Sequence, residues 1–503
     1  MLREALGKLS KHTFAYAIAV PLMYGVGFLL VPFYTHYLSK SDYGVNELLS
    51  QFIAVLGLVA GKNMTNGMTR MYFEQKTPRE QKAVISTTLL ALGVAAAVVG
   101  GALAMGARWV APLIILDSDA AKELTEAGTL DMLLLFRVTM AILVLTTIRE
   151  VFFNYLQAQQ RSTLFTVLNT IKFLLQLVLQ VWFIAGLGLG LLGLFYGVLI
   201  GEAVSVTLLS LVMLPSIGLS FSRPLFGQLV AFTLPLIPNG LFMFVLQAGD
   251  RFVLKGLSGK EAVGIYSFAY RFGSIAMYLP LTPFLLVWWP WVFSINDEEK
   301  RRTLIGRIMP YFMFTVTAVV FGLALIAREL ALKMEGQPGY AAAWPAIAIV
   351  AAGYWFWSAF QIVQTGFYVR KITRHLPWLS GMAAVVNIGA NFLLIPRIGY
   401  MGSAWATLLT FALLLVVTVA VARPVYPVDW PWRRVLQPAL AAGALFAAAL
   451  LVAPETFIAA VAVKLVVFAA WLVWMWFGGF LGAEERAAAL GALAGFRRPR
   501  KQE

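Results

Sequence analysis

The chain has no cysteine, which removes disulfides, thiolate metal sites and cysteine nucleophiles together. Histidine is nearly missing too. His12, His36 and His375 stand near the ends of apolar runs, without a second histidine or a carboxylate at ligand spacing, so no zinc site is expected. Charge is scarce: Asp, Glu, Lys and Arg make up 13% of 503 residues, against roughly 25% in soluble domains. Long polar segments are also lacking. No loop has room for a nucleotide-binding module or a large external catalytic lobe. The longest outer loop, about 107–129, is short and acidic, with Asp117, Asp119, Glu123 and Glu126.

What is present is apolar. Hydrophobic residues make up 60% of the chain, mean hydropathy is +0.80, and runs of about 20 residues, enough to cross a bilayer as helices, recur throughout. The expected fold is an all-α polytopic membrane protein with about 14 spans. They fall near 13–34, 44–68, 83–106, 130–150, 163–185, 190–213, 227–249, 263–293, 304–327, 344–369, 376–395, 400–422, 435–453 and 457–479. The eighth carries Pro280, Pro283 and Pro290 and is expected to kink, with Trp288, Trp289 and Trp291 as an aromatic belt at its end. The first run is too long for a signal-peptide core and is expected to be retained.

Formal charge is +15, which in a membrane protein points to a basic cytoplasmic side rather than to nucleic acid. With the N-terminus inside, 25 of the 39 Lys and Arg fall on the cytoplasmic side and nine on the other. Both termini are then cytoplasmic and the number of spans is even.

The other five bases lie within spans: Lys62, Arg137, Lys172, Arg271 and Lys464. A charged side chain at mid-bilayer costs about 2.5–3.5 kcal/mol on insertion scales, so such residues tend to face a cavity or a partner. Glu47 and Glu202 are the carboxylates placed inside spans. The interior is therefore expected to be net cationic, which suits an anionic cargo such as a phosphate or pyrophosphate. Two readings stay open for each base, pathway lining or a structural partner, as for Lys172 with Glu202. For Lys464, snorkelling or lipid contact competes equally.

An internal repeat organises the chain. Leu38-Ser39 leads to Gly44-Val45, and Leu257-Ser258 leads to Gly264-Ile265, 220 positions later. Gly193 and Gly402 form a second pair 209 apart. Duplicated halves around a central site are a common transporter plan. Pro21 in span one and Pro235 and Pro238 in span seven open the two halves, as gate-helix breaks or as packing kinks. The halves are expected at 1–214 and 215–423, each a six-helix bundle around a central cavity, with an extra helix pair at 424–480 and a basic tail at 481–503.

Two phosphate motifs fail on inspection. Gly188-Leu-Gly190-Leu-Leu-Gly193 matches a dinucleotide fingerprint in letters, but a span flanks it rather than a short strand. Gly256-Leu-Ser-Gly-Lys260 is followed by Glu261 where a phosphate loop needs Ser or Thr. No cofactor is expected.

Several stretches resemble the polysaccharide (O-antigen type) flippases, of the superfamily that also holds multidrug exporters and lipid II flippases. These are Gly61-x5-Gly67-Met-Thr-Arg70-Met-Tyr72, Tyr155-Leu-Gln-Ala-Gln-Gln-Arg161, Asp250-Arg251-Phe-Val-Leu with Gly264-Ile-Tyr266 and Tyr270-Arg271, and Asn391-Phe-Leu-Leu-Ile-Pro396 with Gly402-Ser-Ala-Trp-Ala-Thr407. The resemblance implies alternating access on a polyprenyl-pyrophosphate-linked glycan, without covalent chemistry. On that reading Arg70 stands at the cytoplasmic mouth, Lys62, Arg137, Lys172 and Arg271 lie deeper, and Arg251 receives the cargo near the outer mouth. Glu202 is the candidate for coupling to a proton or sodium ion, or for an ion pair. Membrane lipids and glycan polymerase or glycosyltransferase partners are implied. A multidrug exporter would prefer an anionic cavity, and a membrane-embedded glycan polymerase or ligase would need a larger outer loop.

Overall fold

A computed structural model describes residues 30–480 apart from 62, 117–125, 160, 235, 335, 337, 371, 373 and 453–455, together with 482, 485 and 486. No strand occurs among them. The helices are α1 (Val31–Tyr37), α2 (Lys40–Val59), α3 (Met64–Glu74), α4 (Pro78–Met105), α5 (Ala107–Ile115), α6 (Glu126–Ala158), α7 (Ser162–Val181), α8 (Gly190–Ile217), α9 (Arg223–Thr233) and α10 (Leu236–Phe244). There follow α11 (Asp250–Gly273), α12 (Ile275–Tyr278), α13 (Leu281–Ser294), α14 (Glu298–Met334), α15 (Trp344–Val363), α16 (Thr365–Val369), α17 (His375–Ile398), α18 (Tyr400–Val425), α19 (Trp432–Leu450) and α20 (Phe457–Phe477). π-helical turns extend α7 over Trp182–Gly186 and α10 over Val245–Gly249.

The all-α membrane fold is as expected, but the number of spans differs. Ten runs of the described residues are long and apolar enough to cross a bilayer. Most of the first expected span, with Pro21, lies outside the described residues, and α2 and α19 are not among the ten. The second span is not one helix. Gly61, at a φ of 98°, breaks it into α2 and α3. Span seven is divided between α9 and α10, beside Pro235, and then runs on through its π turn into α11. Asp250 and Arg251, expected in an outer loop, are therefore helical. The break comes later, at Gly259, whose φ of 79° and ψ of 172° put a kink in α11. Span eight is interrupted as its prolines predict, at α12 and α13.

The chain divides into two compact units. The first comprises 1–269, 334–340 and 373–410. Local chemistry sets its helix starts. Ser39 accepts from the Asp42 amide while the Asp42 carboxylate takes the Ser39 N–H, and Thr77 and Glu80 repeat that reciprocal box ahead of α4. Buried Val84, Ile85, Phe152, Leu156, Leu209 and Met213 form the core where α4, α6 and α8 pack. The repeat glycines meet in this unit. A Cβ on Gly44 would sit 2.0 Å from the Lys260 carbonyl oxygen, and one on Gly264 would sit 2.0 Å from that of Lys40. Only glycine allows so close a backbone approach. Lys40 and Glu261 flank the crossing as an ion pair at 3.3 Å.

The second unit comprises 270–333, 341–372 and 411–503. Its long α14 packs on α19 and α20 through Phe321, Leu325, Ala442 and Trp471, with Phe314 stacked on Trp471 at 5.1 Å and the Trp471 indole donating to the Pro438 carbonyl. Trp288, expected at an interfacial belt, is buried and donates to Thr365 Oγ1 at 3.0 Å. Beyond α20 the Glu485 carboxylate accepts from Tyr311, the Gly482 amide and Arg434. The Tyr311 hydroxyl first, then the Gly482 N–H, hold its carboxyl below the usual range.

Replacing Gly44 or Gly264 by Val forces α2 and α11 apart, because backbone rather than a movable side chain fills the space. The expected loss is about 1–3 kcal/mol or more, read as a lower melting temperature in detergent. In the naturally cysteine-free chain, Lys40→Cys with Glu261→Cys should cross-link, and Gly44→Val should prevent it. A second outcome concerns pH. The Glu485 carboxyl is depressed in the folded protein, so its contribution to holding Gly482, Arg434 and Tyr311 together is complete above the ordinary glutamate value of about 4.3. That contribution disappears as pH falls through the lower folded value. Exchange of the Gly482 amide should accelerate over that window, and Glu485→Gln should exchange fast at every pH.

Candidate functional site

Three helices of the first unit converge on Glu202. It stands on α8, is 2% exposed, and gives one oxygen to each of two bases. Arg149 Nε of α6 lies 2.6 Å from Oε2, and Lys172 Nζ of α7 lies 2.7 Å from Oε1. The approach of α7 is possible because α8 presents glycines to it. A Cβ on Gly197 would meet Gln180, and one on Gly201 would meet Gln176. Arg149 also lies over the Phe153 ring at 5.1 Å. Two cations share one carboxylate, so the cluster carries a net positive charge. Lys172 and Glu202 were the expected pair. Arg149, assigned from sequence to the cytoplasmic loops, is the missed member; α6 runs on to Ala158 and keeps it helical.

A second cluster has the opposite balance. Arg251 is 3% exposed, and its guanidinium is bonded through Nε and Nη1. It donates to Glu47 Oε1 at 2.9 Å, to Asp250 Oδ1 at 2.9 Å and to the Gln247 carbonyl at 3.0 Å. Tyr266 donates to Asp250 Oδ2 at 2.5 Å, and Thr407 Oγ1 lies 3.5 Å from the same oxygen. Here two acids meet one base. Glu47 and Asp250 come from helices, α2 and α11, that pair the two repeat segments. On α17 and α18, Asn387, Asn391 and Ser403 are buried, and Asn391 Oδ1 and Ser403 Oγ have no hydrogen-bond partner among the described residues.

The remaining candidates do not join these clusters. Arg70 is exposed on α3, bonded to Glu74 at 2.8 Å and 5.5 Å above the Phe232 ring. Arg137 is exposed on α6 and lies 3.5 Å from the Ala104 carbonyl, with no carboxylate in ion-pair range among the described residues. Arg271 is half-buried in the last turn of α11, within the second unit. Lys62 lies outside the described residues. Lys464 pairs with Glu329 of α14, which extends to Met334 and so brings into the membrane a carboxylate assigned from sequence to a loop. Spans were expected to hold only Glu47 and Glu202 as acids; Asp250 and Glu329 are further ones. The charge is therefore divided between clusters of opposite sign.

A family model described as polysaccharide biosynthesis protein matches residues 9–296. The chain belongs to that family. Its fold is similar to that of the lipid II flippase MurJ in an inward closed conformation, at 13% identity and a TM-score of 0.74, covering 92% of this chain and 99% of that one. It is also similar to a multidrug resistance MATE transporter in an inward-facing conformation, at 15% identity, TM-score 0.64, and 80% and 93% of the two chains. A MOP superfamily transporter from Pyrococcus furiosus, described by a reversed polarity of its binding pocket, aligns at 15% identity, TM-score 0.56, and 83% and 95% coverage. No curated protein matches by sequence. For this family member the likenesses establish the fold.

Removing one partner of a buried ion pair costs about 3–5 kcal/mol because the other charge is left uncompensated. Glu202→Gln strands two cations and should strongly reduce the amount of folded protein recovered from membranes. Lys172→Met leaves Arg149 paired and should be mild. Adding Lys172→Met to Glu202→Gln should restore part of the yield, and no recovery would argue against the shared-carboxylate arrangement.

Proposed function

We propose that this family member is a flippase that moves a polyprenyl-pyrophosphate-linked oligosaccharide across the cytoplasmic membrane for cell-surface polysaccharide biosynthesis. The observation that carries the reading is the net-positive cluster of Arg149, Lys172 and Glu202 within membrane-spanning helices of a polysaccharide biosynthesis family member. A pyrophosphate diester gives up water to enter such a site and gains charge-assisted hydrogen bonds in return. Arg137, with no carboxylate in ion-pair range among the described residues, extends the cationic path. Arg70 draws the cargo at the cytoplasmic mouth, Lys62 and Arg271 contribute deeper, and Arg251 receives it near the outer mouth. The halves 1–214 and 215–423 rock about the cargo, the pair 424–480 attends the isoprenoid tail in lipid, and both termini are cytoplasmic. No bond is made or broken.

Electrostatics favours this direction. Each negative charge exported across an inside-negative potential gains about 2.3 kcal/mol per 100 mV. If a proton or sodium ion is coupled as well, Glu202, the carboxylate shared by Arg149 and Lys172, is the candidate. The Glu47 and Asp250 acids are the feature favouring a cation-coupled multidrug exporter, but Arg251 already occupies them. A polymerase or ligase gains no comparable support.

The test is made in cells whose surface glycan depends on this protein. Deletion should leave lipid-linked glycan on the cytoplasmic face. Arg137→Ala, Arg271→Ala and Arg70→Ala in stably inserted protein should slow export by about ten- to hundredfold, the value of one charge-assisted hydrogen bond. Exported but unpolymerised units on the outer face after deletion would overturn the flippase in favour of a polymerase.

A further inference from the structure

The second unit holds a cavity of about 380 Å³ that the transport reading does not use. One wall is a single stripe of α14. Glu299, Arg302, Gly306 and Pro310 recur at helical spacing, with Arg307 beside them. The other wall is the connection into α19, through Pro427, Asp429, Pro431 and Arg434. Its prolines fix the backbone. The connection rests directly on the helix, since a Cβ on Gly306 would lie 2.9 Å from the Asp429 carbonyl oxygen. The cavity is thus built into the fold rather than left between loose side chains.

Its charges are of both signs and are held apart. Arg302 reaches only the Pro427 carbonyl, at 3.5 Å, and Arg307 makes no ion pair or hydrogen bond among the described residues. Glu299 and Asp429 form no ion pair with either. The third arginine already holds an oxyanion. Arg434 Nη2 donates to the two Glu485 oxygens at 2.8 and 3.1 Å, and Tyr311 and the Gly482 amide complete the cradle. Beside the cavity Trp430 and Trp432 lie 6.3 Å apart, residues that favour headgroup depth.

We propose that this cavity binds a phosphate ester that also carries an amine, of the phosphoethanolamine type, with Arg302 and Arg307 on the phosphate and Glu299 and Asp429 on the ammonium. Arginine forks match phosphate oxygens geometrically, and the acids answer the opposite charge of the same headgroup. Arg434 joins the phosphate when it releases Glu485, so occupancy and the Arg434–Glu485 ion pair oppose each other. The source is either a membrane lipid or a soluble ester, and the two share this chemistry.

The test uses the full chain in detergent, with native mass spectrometry against phosphatidylethanolamine and phosphatidylcholine, and a parallel titration with free O-phosphoethanolamine. Wild-type protein should retain the ethanolamine lipid over the choline lipid, whose methylated ammonium cannot donate. Arg302→Ala with Arg307→Ala should weaken binding by about 30-fold, two cation contacts of the size found at membrane surfaces. Glu485→Gln should strengthen it. Retention of the lipid but not the free ester identifies a lipid site, and binding of both identifies headgroup recognition alone. Equal retention of the two lipids by the wild type, or unchanged affinity in a monodisperse double variant, would overturn the proposal.

Discussion

The cost of an ionised side chain in hydrocarbon governs this molecule. Every helix that carries a charge into the membrane needs a neighbour to answer it, and those answers tie distant segments together. Glu202 joins α6, α7 and α8, Arg251 joins α2 to α11, and Lys464 fastens the last helix to α14. Apolar contact alone gives little preference between neighbours in a bilayer, where lipid is as apolar as leucine. The ion pairs supply specific registration that leucine and valine cannot.

The same economy shapes function. At Arg251 two acids, Glu47 and Asp250, answer one base, whereas a carboxylate shared by two bases leaves positive charge unspent. The distinction lies in stoichiometry rather than in the number of basic residues. A cargo charge is accommodated most readily where the helices leave an imbalance of the opposite sign.

Much of the fold could be read from the chain, because span length and hydropathy are local properties. The interruption of span eight followed from its prolines, Pro280 above all. The site was less legible. Arg149 and Glu329 looked like loop residues because hydropathy falls near helix ends, although α6 and α14 continue well past the apolar core. Asp250 and Arg251 were displaced by the turn-forming glycines after them; the helix is interrupted only at Gly259, about two turns later. Ion-pair partners were hidden for another reason. Arg149 and Glu202 are 53 positions apart and Arg251 and Glu47 are 204 apart, and no periodicity reports a pairing that only tertiary packing creates.

The crossing of Gly44 and Gly264 has a consequence for how the two segments can change. Each glycine's vacant side-chain space is filled by a carbonyl from the other segment, so the two positions are steric complements of one another. Where side chains line a contact, one segment can acquire bulk and the other repack around it. At this crossing any added atom on either helix meets backbone, so neither position can change without the other.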